Sequence, residues 1–295
     1  MSKPNIGFIG LGLMGSAMVE RMQHLGYPIT VLANRSRGYV EAAIARGAVE
    51  ASSAKAVAEA SDIIMLCVDT SQSVESRMLG DDGIIAGLTS GSVVIDFGTS
   101  LPESTRMLGE AVEKVGCQLL DAPLGRTPAH AKDGLLNIMS AGDKAAYEKV
   151  LPVLQDLGEN VFHLGELGSG HTIKLLNNFF GMTVACAMSE VFAVADKAGI
   201  DKKQIHDVMA AGPLHSSMMD FVAAFAVEGD PEKLAFSIRN AAKDVGYYSQ
   251  MVNGMGSDSM ISVGAKNALQ SATDTGYGDQ MVSQMFSFFS DKYQN

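Results

Sequence analysis

Basic residues are in short supply: 22 Lys and Arg stand against 33 Asp and Glu in 295 residues, a formal net charge of -11. Binding a nucleic-acid backbone needs a concentrated basic surface, and none is present, so nucleic acid is excluded as a partner. Cysteine is equally sparse. Cys67, Cys117 and Cys186 are odd in number, far apart and set among apolar neighbours, which excludes a disulfide or zinc framework and reads as buried thiols. The six histidines show no helical pair and no Asp/Glu/His cluster, so the expected chemistry is metal-free. No uninterrupted apolar run approaches the ~18 to 20 residues of a bilayer span. The opening Met1-Ser2-Lys3-Pro4 leads straight into a strand instead of a signal peptide. A cytoplasmic protein with no membrane partner is the expectation.

What is present is an ordinary globular composition, 47% hydrophobic and 19% charged, in a chain long enough for two domains. Apolar runs at 5–10, 29–33, 62–68, 92–96 and 118–121 predict strands. Helical patterns fall between them at 14–25, 39–46, 54–60 and 102–114, the alternation of a mostly parallel sheet. Two later strands, 135–140 and 160–163, flank a helix at 143–157 and are expected to complete that sheet. From Gly168 onward no convincing strand follows. The run 173–198 is long, yet its lysine, two amides and later Glu190, Asp196 and Lys197 argue against a membrane span. The methionines at 218, 219, 251, 255 and 260 read as core filler, and 254–264 reads as a loop or helix start.

Two segments carry chemistry. After the first strand comes Gly10-Leu11-Gly12-Leu13-Met14-Gly15 and then a helix. That is the context in which G-x-G-x-x-G binds a dinucleotide: a tight turn at Gly10, backbone approach to the pyrophosphate at Gly12, close packing at Gly15, and a helix N-terminus facing the negative charge. The second segment, Gly168-Ser-Gly-His-Thr-Ile-Lys-Leu-Leu-Asn-Asn178, places Lys174, Asn177 and Asn178 at i, i+3 and i+4. One helix face then carries an ammonium and two neutral amides, a proton donor beside orienting groups. A surface lysine at a helix start, and amides that bond within the helix, are the plain alternatives.

Together these segments, with Asp96-Phe97-Gly98-Thr99, Asp121-Ala122-Pro123-Leu124-Gly125-Arg126-Thr127 and Lys243-Asp244, give the chain a resemblance over its whole length to the β-hydroxyacid dehydrogenases. The resemblance implies a Rossmann-type doubly wound α/β domain at 1–165, followed by an all-helical substrate and oligomerisation domain at 166–295, joined by a long helix. It implies reversible NAD(P)H-dependent reduction of a short anionic semialdehyde, with Lys174 as general acid and base. Asn177 and Asn178 match amides that hold the substrate. Leu13 and Met14 match residues at the pyrophosphate, Val68 and Thr99 match positions beside the nicotinamide half, and Lys243 matches a lysine near the cofactor. A homodimer or homotetramer is implied as well.

Departures from the family pattern are informative. Gly125-Arg126-Thr127 stands where many relatives have Ser-Gly-Gly, and is similar to the loop of members that reduce sulfolactaldehyde; a planar, permanently charged fork suits a sulfonate. Pairing of Arg126 with a carboxylate such as Asp133 is the alternative. Carboxylate substrates related to 3-hydroxyisobutyrate, tartronate semialdehyde or succinic semialdehyde are the other candidates, and a non-catalytic cofactor-binding scaffold is the reading from another class. After the second strand, Asn34-Arg35-Ser36-Arg37 offers no acid for a ribose diol but two arginines and a serine for a 2′-phosphate, which favours NADP(H) with NAD(H) possible. Asp69 replaces a proline and Gly98 a serine. Asp121 is expected to hold its loop, and His171 to pack at the helix start without catalytic duty.

Overall fold

In the computed structural model, which describes residues 3–33 and 37–294, the chain divides into two units, Met1–Lys174 and Leu175–Asn295. The first begins with β1 (Ile6–Ile9), α1 (Leu13–His24), β2 (Ile29–Leu32), α2 (Arg37–Ala45), β3 (Val49–Ala51), α3 (Ala54–Glu59) and β4 (Ile63–Leu66). It continues through α4 (Ser71–Met78), α5 (Ile84–Gly87), β5 (Val93–Asp96), α6 (Pro102–Glu113) and β6 (Gln118–Asp121). The six strands form one parallel sheet in the order β3-β2-β1-β4-β5-β6. Alternate side chains serve opposite faces, as the pleat requires. Ile6, Phe8, Ile63 and Met65 join the core under α1 and α2, while Ile9, Ile64 and Leu66 join the one under α3, α4 and α6. A parallel sheet covered on both faces explains why these strands read as continuous apolar runs.

The strands at 135–140 and 160–163 do not complete this sheet. They belong to a separate three-stranded sheet built from β7 (Leu124–Gly125), α7 (Pro128–Asp133), β8 (Leu136–Ser140), α8 (Lys144–Leu157) and β9 (Gly158–His163). Pro123 has no N–H to extend the ladder beyond β6, and a lone Asp121–Ala141 bridge links the sheets. β7 runs antiparallel to β8 and β8 parallel to β9.

α9 (Ser169–Lys197) starts in the first unit, and the division falls after Lys174. By length and composition this 29-residue helix could cross a bilayer, yet half of its most apolar window is buried in the protein. The second unit adds α10 (Lys202–Ala210), α11 (Ser217–Glu228), α12 (Ile238–Gly254), α13 (Met260–Ala272) and α14 (Met285–Gln294). Its core is Phe192, Val222, Leu269, Met219 and Met285 among small alanines. Met255 and Met260 are not filler as expected, because they flank the exposed turn between α12 and α13.

Candidate active site

The chain leaves β1 through Gly10 at φ +103°, where a Cβ would sit 2.3 Å from the Cys67 carbonyl oxygen. A Cβ at Gly15 would sit 2.0 Å from the Gly10 carbonyl oxygen, so α1 packs on the turn more closely than any side chain allows. Gly12 is different: a Cβ there meets no protein atom within 4 Å. It caps α1 without a side-chain hydrogen bond, and the first turn of α1 has no acidic residue, which leaves N–H groups and the positive end of the helix dipole facing an anion. A cavity of about 320 Å³ opens here, with Gly10, Leu11, Gly12, Val68, Asp69 and Arg77 on its walls. The exposed Leu13 side chain and half-buried Met14 follow at the start of α1. A cradle that a Cβ would fill, before an uncapped helix, fits a pyrophosphate.

A second cavity of about 520 Å³ shares Ser76 and Arg77 with the first and reaches Ala33 at the end of β2 and Ser52 beyond β3. This is the direction a dinucleotide's adenosine half takes from such a turn. Asn34, Arg35 and Ser36 lie outside the described residues. Arg37 is described, and its guanidinium bonds Glu50 at 2.5 and 3.0 Å and Glu41 at 3.2 Å. Glu50, from β3, is a neutralising partner that reading residues 34–37 alone does not reveal. The sequence does not single out Arg77 either, because α4 buries only Ser71, Val74 and Met78 and its apolar period is faint.

Beyond β5, Asp96 organises the loop that carries Thr99. One carboxylate oxygen accepts from the Gly98 N–H at 2.8 Å and the other from the Ser100 hydroxyl at 2.9 Å. A side chain at Gly98 would begin 2.9 Å from that carboxylate and 3.0 Å from the Val68 carbonyl oxygen, so either would have to shift to admit one. Asp69 in turn accepts from the Ser73 hydroxyl at 2.8 Å, at the start of α4.

Asp121 does hold its loop, and it does so through α9. Its two oxygens accept from the backbone N–H groups of Gly168 and His171, both at 2.7 Å. Burial pushes its carboxyl above the usual carboxylate range, while His171 and the two N–H groups pull the other way. One turn further along α9, the half-buried Lys174 donates from Nζ to the Leu124 carbonyl oxygen at 2.7 Å. The structure thus brings the lysine against the Leu124 to Thr127 turn, whose residues Gly125, Arg126 and Thr127 were singled out for the substrate.

Arg126 is the one non-glycine with positive φ, +77°, among the described residues. Its guanidinium donates to the Leu135 carbonyl oxygen at 2.6 Å and to Glu159 at 2.5 Å. The carboxylate partner is therefore Glu159 on β9, not Asp133. The Thr127 hydroxyl lies 2.7 Å from His130 Nδ1.

In the second unit, Asn177 and Asn178 follow Lys174 along α9 by three and four residues, and the Asn177 amide donates to Asn178 Oδ1 at 3.2 Å. Asn177 is exposed; Asn178 is buried and donates to Asp244 at 2.6 Å. Asp244, buried on α12, also has Lys243 Nζ at 3.0 Å in a charge contact that is not aligned as a hydrogen bond. Asp244 thus ties the predicted Asn178 and Lys243 together. Next to it, Phe179 stacks on Tyr248 with ring centroids 4.0 Å apart. Neither aromatic stood out in the sequence, because no motif contains them.

The chain is similar to known proteins along both of its units. Residues 5–165 match the family described as the NAD binding domain of 6-phosphogluconate dehydrogenase. Residues 168–289 match the NAD-binding family of NADP-dependent 3-hydroxyisobutyrate dehydrogenase. The chain is 34% identical to a probable 3-hydroxyisobutyrate dehydrogenase-like 3 protein of Arabidopsis thaliana, over 83% of this chain and 76% of the relative. It is 26% identical to glyoxylate/succinic semialdehyde reductase 2 of the same plant, over 95% and 77%. Among solved structures, Psf3 in complex with NADP+ and 2-OPP superposes with a TM-score of 0.84 at 26% identity, covering 97% of this chain and 100% of that one.

Proposed function

Given that the chain belongs to the 3-hydroxyisobutyrate dehydrogenase-like family of β-hydroxyacid dehydrogenases and is an NAD(P)-dependent dehydrogenase acting on CH–OH groups, we propose that it interconverts a short semialdehyde with an anionic end and the matching alcohol. The carrying observation is the Lys174 ammonium set against Leu124, at the head of the Leu124 to Thr127 turn.

When bound, the nicotinamide supplies or accepts the hydride. The chain's own residues do the rest. The Gly10 to Gly15 turn and the N-terminus of α1 hold the pyrophosphate, with Val68 and Thr99 toward the nicotinamide half. The bond to Leu124 fixes the direction of the Lys174 stem, and an ammonium has three donors. In reduction Lys174 gives a proton to the carbonyl oxygen as charge develops there; in oxidation the neutral amine takes the hydroxyl proton. Asn177 and Asn178 orient the substrate without adding charge. Gly125, Arg126 and Thr127 meet its anionic end.

Sulfolactaldehyde is the proposed substrate because Arg126 places a permanent cation in that turn, which a sulfonate would satisfy in exchange for Glu159. NADP(H) is the proposed cofactor because the segment 34–37 just after β2 holds no acid and includes Arg35 and Ser36. The three unpaired cysteines suit a reducing cytoplasm, and exposed Phe180, Val208 and Met260 suit a homodimer or homotetramer, testable by light scattering.

Replacing Lys174 by Ala tests the central assignment. We expect the variant to bind NADPH as wild type does, by fluorescence titration, and to lose turnover by about 10²-fold or more. Turnover near wild type on every semialdehyde tried would remove Lys174 from the chemistry.

A further inference from the structure

His171 is fully buried, and its ring lies where three chain segments that bear on the site converge. Nδ1 is 2.8 Å from the Thr105 hydroxyl on α6 and 3.8 Å from Asp121. Nε2 is 3.7 Å from Asp96, with no hydrogen-bond partner. Asp96 shapes the loop carrying Thr99, through Gly98 and Ser100. Asp121 fixes the start of α9, three residues before Lys174.

Each ring nitrogen faces a buried carboxylate. A carboxylate only accepts, so Asp96 favours a hydrogen on Nε2 and Asp121 favours one on Nδ1. The Thr105 hydroxyl serves Nδ1 from the other side. Its single hydrogen can go to Nδ1 or to the Leu101 carbonyl oxygen at 3.1 Å, which also accepts the Thr105 N–H. Nε2 and Asp96 meet at 3.7 Å without an aligned hydrogen bond. His171 is one residue that meets both buried carboxylates.

We propose that His171 is a positioning residue of the reaction: its imidazole ties the first turn of α9, and with it the Lys174 ammonium, to the loop after β5 that carries Thr99. This rests on the reading of Lys174 as the proton donor. The tie matters because a proton donor displaced by about 1 Å can cost about 10²-fold in rate. It does not touch the pyrophosphate cradle and bears on the nicotinamide half only through the Thr99 loop, so turnover should suffer far more than cofactor affinity.

Three variants separate this role from mere packing. In His171→Gln the amide nitrogen reaches the place of Nε2 and can serve Asp96; in His171→Asn it stops at the place of Nδ1 and serves Thr105 alone; His171→Leu serves neither. We expect kcat to fall about 10²-fold in His171→Leu and almost as far in His171→Asn, to recover largely in His171→Gln, and NADPH affinity to stay within about twofold throughout. Wild-type kcat in His171→Leu would overturn the proposal, as would equal losses in the Gln and Leu variants or a parallel loss of NADPH affinity. If His171→Leu does not fold, the Gln and Asn pair decides, and equal kcat in the two overturns it. Turnover retained in Lys174→Ala would instead defeat the underlying reading, whereas a dead Lys174→Ala beside a full-speed His171→Leu defeats this inference alone.

Discussion

At the scale of single residues, Arg126 poses the sharpest question, because its charge is shared. Its fork is held by Glu159 and the Leu135 carbonyl oxygen, and a substrate anion must replace or join the glutamate. Charge-assisted hydrogen bonds contribute about 1.5 to 3 kcal/mol, so Arg126→Ala should raise KM for anionic semialdehydes roughly 10-fold or more. Glu159→Gln should lower it, by releasing the guanidinium to the ligand. A rise in KM in both variants would show that the ion pair braces the turn and does not anchor substrate. Cys67 offers a second residue-level test. Burial, followed by the nearby Asp96 charge, pushes its thiol up to about 12. At pH 8 about one molecule in ten thousand then carries the reactive thiolate. Iodoacetamide at pH 8 should leave activity intact although Cys67 lines the cavity at the glycine turn. Rapid inactivation that NADPH prevents would contradict that environment.

At the scale of elements, the glycine turn separates stability from binding. Gly15→Ala drives a Cβ into the Gly10 carbonyl oxygen and to 2.9 Å from the Phe8 ring, so it should cost about 1 to 3 kcal/mol in denaturant unfolding. Gly12→Ala meets no protein atom and should unfold like wild type while NADPH binding weakens. Equal stability losses in the two would mean that Gly12 is needed by the fold rather than the ligand. The same contrast explains what was legible. β1, β4 and β5 are buried on both faces and so read as unbroken apolar runs, and Lys174, Asn177 and Asn178 stood out as polar residues on an apolar helix. β3 escaped because Val49 and Glu50 are exposed, and β7 because two residues carry no period. Strand pattern carries no information about partners, so sequence alone merges the second sheet with the first. The charge of Arg126 was visible in sequence, but its partner Glu159, 33 residues away, was not.

At the scale of the whole molecule, each unit has its own core, and the pyrophosphate cradle with both adjoining cavities belongs to the first. The net charge of -11 opposes any polyanionic ligand, so a preference for the extra phosphate of NADPH must come from local cations and should be sensitive to screening. Arg37, bonded to Glu50 and Glu41, is already neutralised, which leaves Arg35 as the residue of that sequence segment on which the preference turns. A ligand at about 100 times its Kd stabilises the folded state by about 2.7 kcal/mol. Thermal unfolding should therefore shift upward with NADPH at concentrations where NADH has little effect, and the gap should narrow as salt rises from low to about 1 M, where the screening length falls to about 3 Å. Arg35→Glu should invert the order, since a carboxylate repels the 2′-phosphate and can accept from a ribose diol. Equal shifts from the two nucleotides in wild type, or an order unchanged in Arg35→Glu, would refute the NADP(H) preference while leaving the dehydrogenase itself in place.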